Sequence, residues 1–311
     1  MRPAAIASGI SAGAAVRASA DALAHVGIGE GAVLEARLLV AHVLGVSKET
    51  LLGWPERALD GPATAQLADL LRRRSRREPM AHLLEKREFW SLPLRVTAAT
   101  LDPRPDSETL ISAALDCFQD RDAALNVLDL GVGSGCLLLA LLSEFRNARG
   151  LGIDLSEAAL EVAKANAVSL GMNARTRFQS GNWGQAIDEK FDLILSNPPY
   201  IPDAEIERLQ PEIALYESRL ALMGGEDGLA CYRKMAPDLF RLLQPAGVVL
   251  LEIGDTQAAA VSQILNGHGL EVIATRKDLA GAPRCVVGRR PKRLSNEISG
   301  EKNLGNGRHP D

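Results

Sequence analysis

The sequence predicts an α/β protein: a doubly wound, mostly parallel seven-stranded sheet, with a small N-terminal helical domain joined to it by a β-hairpin. Three observations carry that reading. After Ala123, short apolar runs alternate with helical segments rich in Ala, Leu, Glu and Lys, the pattern of βαβ units and parallel strands. The first run, Val127-Leu128-Asp129-Leu130, opens directly into Gly131-Val132-Gly133-Ser134-Gly135, a glycine turn that belongs at the carboxyl edge of such a sheet. The fourth, Phe191 to Ser196, stops on Asn197-Pro198-Pro199-Tyr200, where two prolines cannot continue a central strand.

The elements follow in order. From about Ile10 to Arg77 the pattern is helical, with Leu34, Leu38, Ala41 and Leu44 at helical spacing and Ser47 placed to cap a short helix. Gly61-Pro62 punctuates, and a further helix runs through Leu67, Leu70 and Leu71 into the basic run Arg72–Arg77. That run reads as a solvated helix end favoured by the macrodipole rather than as an RNA contact. Phe89, Trp90, Leu92, Leu94 and Val96 partly alternate, with Ser91 and Pro93 near the turn, and predict the hairpin. Pro103-Arg104-Pro105 makes a rigid connector, after which Asp106 or Ser107 is expected to cap a helix through Leu110, Ile111 and Leu115.

Strands are predicted at Asn126–Leu130, Gly150–Asp154, Thr176–Ser180, Phe191–Ser196, Gly247–Ile253, Leu270–Thr275 and Cys285–Gly288. The last two are separated only by a loop through Gly281-Ala282-Pro283, so they are expected as an antiparallel edge pair. From Arg289 the chain lacks periodicity and reads as a disordered tail. The expected division is 1–80 (helical), 81–105 (hairpin and connector), 106–288 (α/β domain) and 289–311 (tail).

Composition narrows the function. Among 311 residues, 24% charged and 46% hydrophobic is ordinary for a globular protein with a sizeable core. A net charge of -4 argues against a long nucleic acid as the main partner. Cys117, Cys136, Cys231 and Cys285 lie far apart without a C-x-x-C pair, which speaks against a disulfide frame or zinc site and for a reducing compartment. No apolar run reaches membrane-spanning length. Arg2, Arg17 and several serines without an acid give the start a weak transit-peptide texture, but no compact apolar core follows. The expectation is a cytoplasmic protein with no membrane partner and no metal.

The acids around the glycine turn suggest its ligand. A dinucleotide fingerprint starting at Gly131 and Gly133 needs its third glycine where this chain has Cys136. Asp129 beside the turn would repel a pyrophosphate but would pair with the ammonium of S-adenosylmethionine, whose sulfonium is also cationic. Asp154, at the end of the next strand, is placed to accept both ribose hydroxyls. Asn182 and Trp183 follow the third strand, so an amide and a large ring stand where adenine would lie. At the fourth strand end, the Asn197 side-chain oxygen and the Asn197 and Pro198 carbonyls form a cluster of acceptors suited to an NH2 group.

An Asn-Pro-Pro-Tyr tetrad after the fourth strand of such a fold resembles the amino-methyltransferases that act on planar amide or exocyclic nitrogens. Arg87-Glu88-Phe89-Trp90, Pro103-Arg104-Pro105-Asp106-Ser107-Glu108, Gly224-Gly225-Glu226-Asp227-Gly228, Leu251-Glu252-Ile253-Gly254 and Lys277-Asp278-Leu279-Ala280-Gly281 resemble the signatures of the HemK/PrmC-type enzymes, which methylate a glutamine of peptide chain release factors. The resemblance runs from about Leu34 to Gly288. It implies the S-adenosylmethionine-dependent methyltransferase fold and contacts to that cofactor from Gly131, Val132, Gly133, Ser134, Gly135, Asp154, Trp183 and Asn197. It also implies that Asn197, Pro198, Pro199 and Tyr200 hold the substrate glutamine, that Asn197, Pro198 and Tyr200 shape the reaction, and that the N-terminal helices dock the release factor. Two departures stand out: Asp102 occupies a position usually apolar, and Ser218 follows Glu217 where proline is common. An adenine methyltransferase acting on DNA or RNA would use the same tetrad but needs a basic cleft, for which the chain offers only Arg72–Arg77. A non-catalytic nucleotide-binding module would leave the tetrad unexplained.

Overall fold

The computed structural model describes residues 7–292. The transit-like positions before Ala7 and the expected tail from position 293 lie outside the described residues. Five helices come first: α1 (Ala12–His25), α2 (Ala32–Val43), α3 (Lys48–Gly53), α4 (Gly61–Arg74) and α5 (Met80–Leu84). Ser47 caps α3 as expected, accepting the Thr50 N–H at 3.1 Å, and Asp60 caps α4 through the Ala63 N–H at 2.8 Å. Their apolar faces, among them Leu23, Leu39, Leu67 and Leu70, form one core.

The basic run departs from a solvated helix end at Arg74, which is only 5% exposed. Its Nε and Nη2 bond the two oxygens of Glu35 at 2.7 and 3.0 Å, and its Nη1 bonds Glu212 at 3.0 Å. Arg77 meets the same Glu212 at 3.2 Å, while Arg72 and Arg73 pair with Asp69 and Glu78. Two carboxylates remote in sequence converge on the guanidinium and make its burial tolerable. The arrangement clasps the helical domain to the segment that follows the Asn-Pro-Pro-Tyr tetrad, and the Tyr216 hydroxyl adds a bond to the Arg76 carbonyl at 2.7 Å.

Strands β1 (Arg87–Phe89) and β2 (Leu92–Leu94) form the expected antiparallel hairpin. Trp90 and Ser91 turn it with φ of 51° and 59°, the positive values a two-residue hairpin turn requires. Glu108 accepts the Trp90 backbone N–H at 2.9 Å and Glu144 its indole N–H at 2.7 Å, which offsets the strain. The connector winds into a 3-10 turn at Pro105–Ser107 before α6 (Glu108–Cys117). The expected side-chain cap is absent: Ser107 is itself in helical geometry and its hydroxyl is turned toward Asn197.

The main sheet contains β3 (Asn126–Leu130), β4 (Arg149–Asp154), β5 (Thr176–Ser180), β6 (Phe191–Ser196), β7 (Leu243–Glu252), β8 (Glu271–Lys277) and β9 (Pro283–Arg289). Their spatial order is β5-β4-β3-β6-β7-β9-β8. The first five run parallel, and β9 lies antiparallel to both β7 and β8. β7 starts earlier than the expected Gly247 because Leu243 pairs with Phe191 and the residues from Gln244 to Gly247 are carried in a bulge before Val248. β9 claims Arg289, which pairs with Val248, so the ordered chain outlasts the expected start of the tail. Helix α6 packs on one face with α7 (Cys136–Glu144) and α8 (Glu157–Ser169); α11 (Ala230–Leu242) and α12 (Ala258–Gly267) pack on the other, after two short helices, α9 (Pro211–Tyr216) and α10 (Arg219–Leu222). The doubly wound architecture is the one expected.

Candidate active site

A cavity of about 380 Å³ opens at the carboxyl ends of β3 to β6. One side is the glycine turn with Asp154 and Trp183; the other is built by Pro103, Arg104 and Ser107 of the connector, by Asn197 and Pro199, and by Ser218, Leu220, Ala221 and Met223. A second hollow of about 270 Å³ lies at the opposite strand ends, where Arg177 pairs with Glu189 and Arg175 bonds the carbonyls of Leu142, Phe145 and Ala148.

The turn adopts its shape because Gly131, Gly133 and Gly135 sit at φ of 78°, 53° and 83°, which side-chain-bearing residues resist. The N–H groups of Gly131 and Val132 both bond the Ile153 carbonyl, at 2.8 and 2.9 Å. Asp154 completes the clamp: Oδ2 accepts from Gly133 and Oδ1 from Ser156, each at 2.9 Å. Gly131, Val132, Gly133, Ser134 and Asp154 therefore face the cavity, whereas Gly135 lies behind as the residue before α7, where a Cβ would meet Leu139 at 3.2 Å. Asn166, which the sequence reading missed, braces this turn from α8: its Nδ2 bonds the carbonyls of Ser134 and Arg95, each at 2.9 Å, and its Oδ1 accepts the Arg95 N–H at 2.7 Å. A polar residue on the apolar helix face of Leu160, Ala163 and Ala167 was the available signal.

Asp129 is not on the cavity wall. It is 1% exposed beneath the turn, and neither oxygen has a hydrogen-bond partner among the described residues. Burial, then the charge of Asp154, pushes its carboxyl up to about 8. Asp129 is thereby held largely protonated near neutral pH, and Asp154 is the acid that faces the cavity. Trp183, at φ 54°, packs its indole between the core and the cavity, with Asn182 beside it. A flat ring and an amide suit the adenine, and the Asp154 carboxylate suits the ribose of S-adenosylmethionine, so the residues present fit that group.

Of the tetrad, Asn197 and Pro199 reach the wall; Pro198 is buried and half-buried Tyr200 is not part of the wall. Tyr200 packs against the core and places its hydroxyl 3.4 Å from Glu252 Oε1, and burial raises the phenol to about 12. Its carbonyl accepts from Gln257 Nε2 at 2.9 Å. Gly224 lies so close that a Cβ there would stand 2.8 Å from the Tyr200 carbonyl carbon, which explains the glycine-rich segment after α10. Asn197 Nδ2 donates to Ser107 Oγ at 3.3 Å. Beside the tetrad, Asp102 is buried against Arg87 and Arg104, and the Glu217 carboxylate accepts the Asp102 N–H at 3.3 Å.

Comparison with known proteins adds the chemistry. The PrmC N-terminal domain family matches residues 14–84, and the methyltransferase domain family matches residues 121–278. The release factor glutamine methyltransferase of Caulobacter vibrioides is 42% identical over 87% of this chain and 93% of its own length. That of Rhodospirillum rubrum is 45% identical over 82% of this chain and 78% of its own. The chain belongs to the release factor glutamine methyltransferase family. Among solved structures, the release-factor-specific protein-(glutamine-N5) methyltransferase of Alicyclobacillus acidocaldarius is similar at 27% identity, covering 61% of this chain and 94% of that one, with a TM-score of 0.37. The basic run that the adenine methyltransferase alternative relied on is largely paired within the chain: Arg72, Arg73, Arg74 and Arg77 each meet an acid of this chain. Among the described residues no helix is long and apolar enough to cross a membrane.

Proposed function

We propose that this protein methylates the side-chain amide nitrogen of the glutamine in the Gly-Gly-Gln motif of peptide chain release factors, in the cytoplasm. The observation that carries the reading is that Asn197 and Pro199 share one cavity wall with the connector, facing the Gly131–Ser134 turn and Trp183. S-adenosylmethionine supplies an electrophilic methyl on a sulfonium; the C–S bond breaks as the N–C bond forms. Gly131 to Ser134, Asp154 and Trp183 hold that donor. The 106–288 domain carries this chemistry, and the 1–80 domain docks the release factor through the 81–105 hairpin and connector.

The remaining residues work on the amide. Its nitrogen is a poor nucleophile because the lone pair is delocalised into the carbonyl. The Asn197 side-chain oxygen and the Pro198 carbonyl accept its two N–H groups, which favours a pyramidal nitrogen with the lone pair aimed at the donor. Such orientation supplies several kcal/mol of the barrier, and the same acceptors stabilise the positive charge that grows on nitrogen. Tyr200 backs the loop, its carbonyl fixed by Gln257. The proton leaves to water after transfer. Incubating the protein with purified release factor and labelled S-adenosylmethionine, then analysing the Gly-Gly-Gln peptide by mass spectrometry, tests the reading. One added methyl on the glutamine is expected; label on another residue, or on oligonucleotide only, overturns it.

A further inference from the structure

Two buried side chains beside the tetrad, Glu252 and Ser107, serve no step described so far. Glu252, the last residue of β7, is 1% exposed. The Tyr200 hydroxyl meets its Oε1 at 3.4 Å, and its Oε2 has no fully formed hydrogen bond among the described residues. The Ser107 hydroxyl approaches this carboxylate from the connector without a closed hydrogen bond, and Ser107 Oγ accepts from Asn197 Nδ2 at 3.3 Å. Long contacts of this kind in a free enzyme commonly close when substrate binds.

The chemistry of these groups fixes a direction. An ionised carboxylate only accepts, and a serine hydroxyl has a single proton to give. Asn197 Nδ2 already donates to Ser107 Oγ, and once the Ser107 proton closes onto Glu252 the hydroxyl can offer Asn197 only a lone pair, so the NH2 end of the amide is drawn back and the oxygen is left facing the cavity. Which end of an asparagine points where is decided by the network around it. Resting on the proposed substrate, we infer that Ser107 and Glu252 are positioning residues that set the polarity of Asn197, presenting its oxygen to the glutamine NH2.

A protonated Glu252 carries a proton of its own and can reverse the relay, turning an NH2 toward a substrate that needs an acceptor. Six titratable groups face Glu252: Tyr200, Tyr232, Arg284 on β9, Asp106 in the 3-10 turn, Cys136 and Cys285. Burial raises the carboxyl to about 7, against the lowering effects of Ser107, Arg284 and Tyr200. Methyl transfer is therefore expected to weaken as pH falls below about 7.

The test uses the full-length protein with two independent readouts. Single-turnover methylation of release factor, saturating in both substrates, should fall more than tenfold in Ser107→Ala with donor affinity within twofold, and Ser107→Thr should restore most of it. Glu252→Gln should remove the pH dependence near 7. Asparagine-selective 15N labelling should show one side-chain NH2 that shifts in Ser107→Ala and titrates with pH in the parent protein but not in Glu252→Gln. Normal turnover in Ser107→Ala, or an Asn197 amide indifferent to Ser107 and pH, overturns the relay. A shifted amide in a protein that leaves the glutamine unmethylated overturns the substrate reading instead.

Discussion

Asp154 holds the N–H of Gly133 at 2.9 Å, bridging the end of one strand to the turn that leaves its neighbour. The carboxylate expected to grip a ribose is thus also the clamp of the glycine turn, and its second oxygen is tied to Ser156 at 2.9 Å. Asp154→Asn must place an NH2 against one of these two N–H groups. A charge-assisted bond of this kind contributes about 1.5–3 kcal/mol, so the dissociation constant for S-adenosylhomocysteine should rise roughly ten- to a hundredfold by calorimetry. An unchanged constant would remove Asp154 from donor binding.

Trp183 offers its indole to the same cavity. Stacking of a base on an aromatic ring contributes about 1–3 kcal/mol. Trp183→Ala should weaken donor binding at least fivefold while Trp183→Phe retains most of it, both read by the same titration. Equal affinity in all three proteins would place the adenine elsewhere.

The clasp at Arg74 makes a prediction about stability. Removing one member of a buried ion pair leaves charge uncompensated at a cost of about 3–5 kcal/mol. Glu35 and Glu212 keep 19% and 21% of their side chains in water, so the lower end applies to Arg74→Ala. Lysine lacks the planar fork that spans both Glu35 oxygens, and Arg74→Lys should recover less than half of the loss. Urea unfolding with a fitted slope checks both; a midpoint within error of the parent contradicts the clasp.

Glu217 predicts a pH dependence of stability. Its carboxyl is raised from 4.5 to about 7, chiefly by burial, with Arg104 opposing. The folded state then holds a proton that the unfolded state releases at lower pH. Stability contributed by this proton is present below about 4.5 and is lost as pH rises toward 7. Glu217→Gln should flatten the decline in unfolding free energy between pH 5 and 7.5. An unaltered slope would mean that the decline belongs to Asp129 and Glu252, raised to about 8 and about 7.

The sheet was legible because its central strands are buried on both faces and read as continuous apolar runs, as in Val127–Leu130 and Phe191–Leu195. β7 was read short because its start, Leu243 to Gly247, breaks that run with Gln244 and Pro245 in a bulge. Within the site, glycines at forced φ and prolines after a strand announce themselves locally. Arg74 did not, since what buries it comes from Glu35 and Glu212, and no spacing rule joins those positions. Ser107 looked like a helix cap because serine before a helix usually is one; only the 3-10 turn diverts its hydroxyl. Glu252, an acid closing an apolar strand, carries the same local signal as Asp129, but nothing in its spacing joins it to Ser107 or Tyr200.

Pro198 and Pro199 bring no N–H to the elbow that borders the cavity. Glutamate matches glutamine in size and shape, yet it would arrive there with two anionic oxygens and nothing to give, lone pair against lone pair. If the elbow holds the substrate as proposed, its missing donors would act as a filter against the hydrolysed or acidic counterpart, with discrimination written into what the backbone lacks.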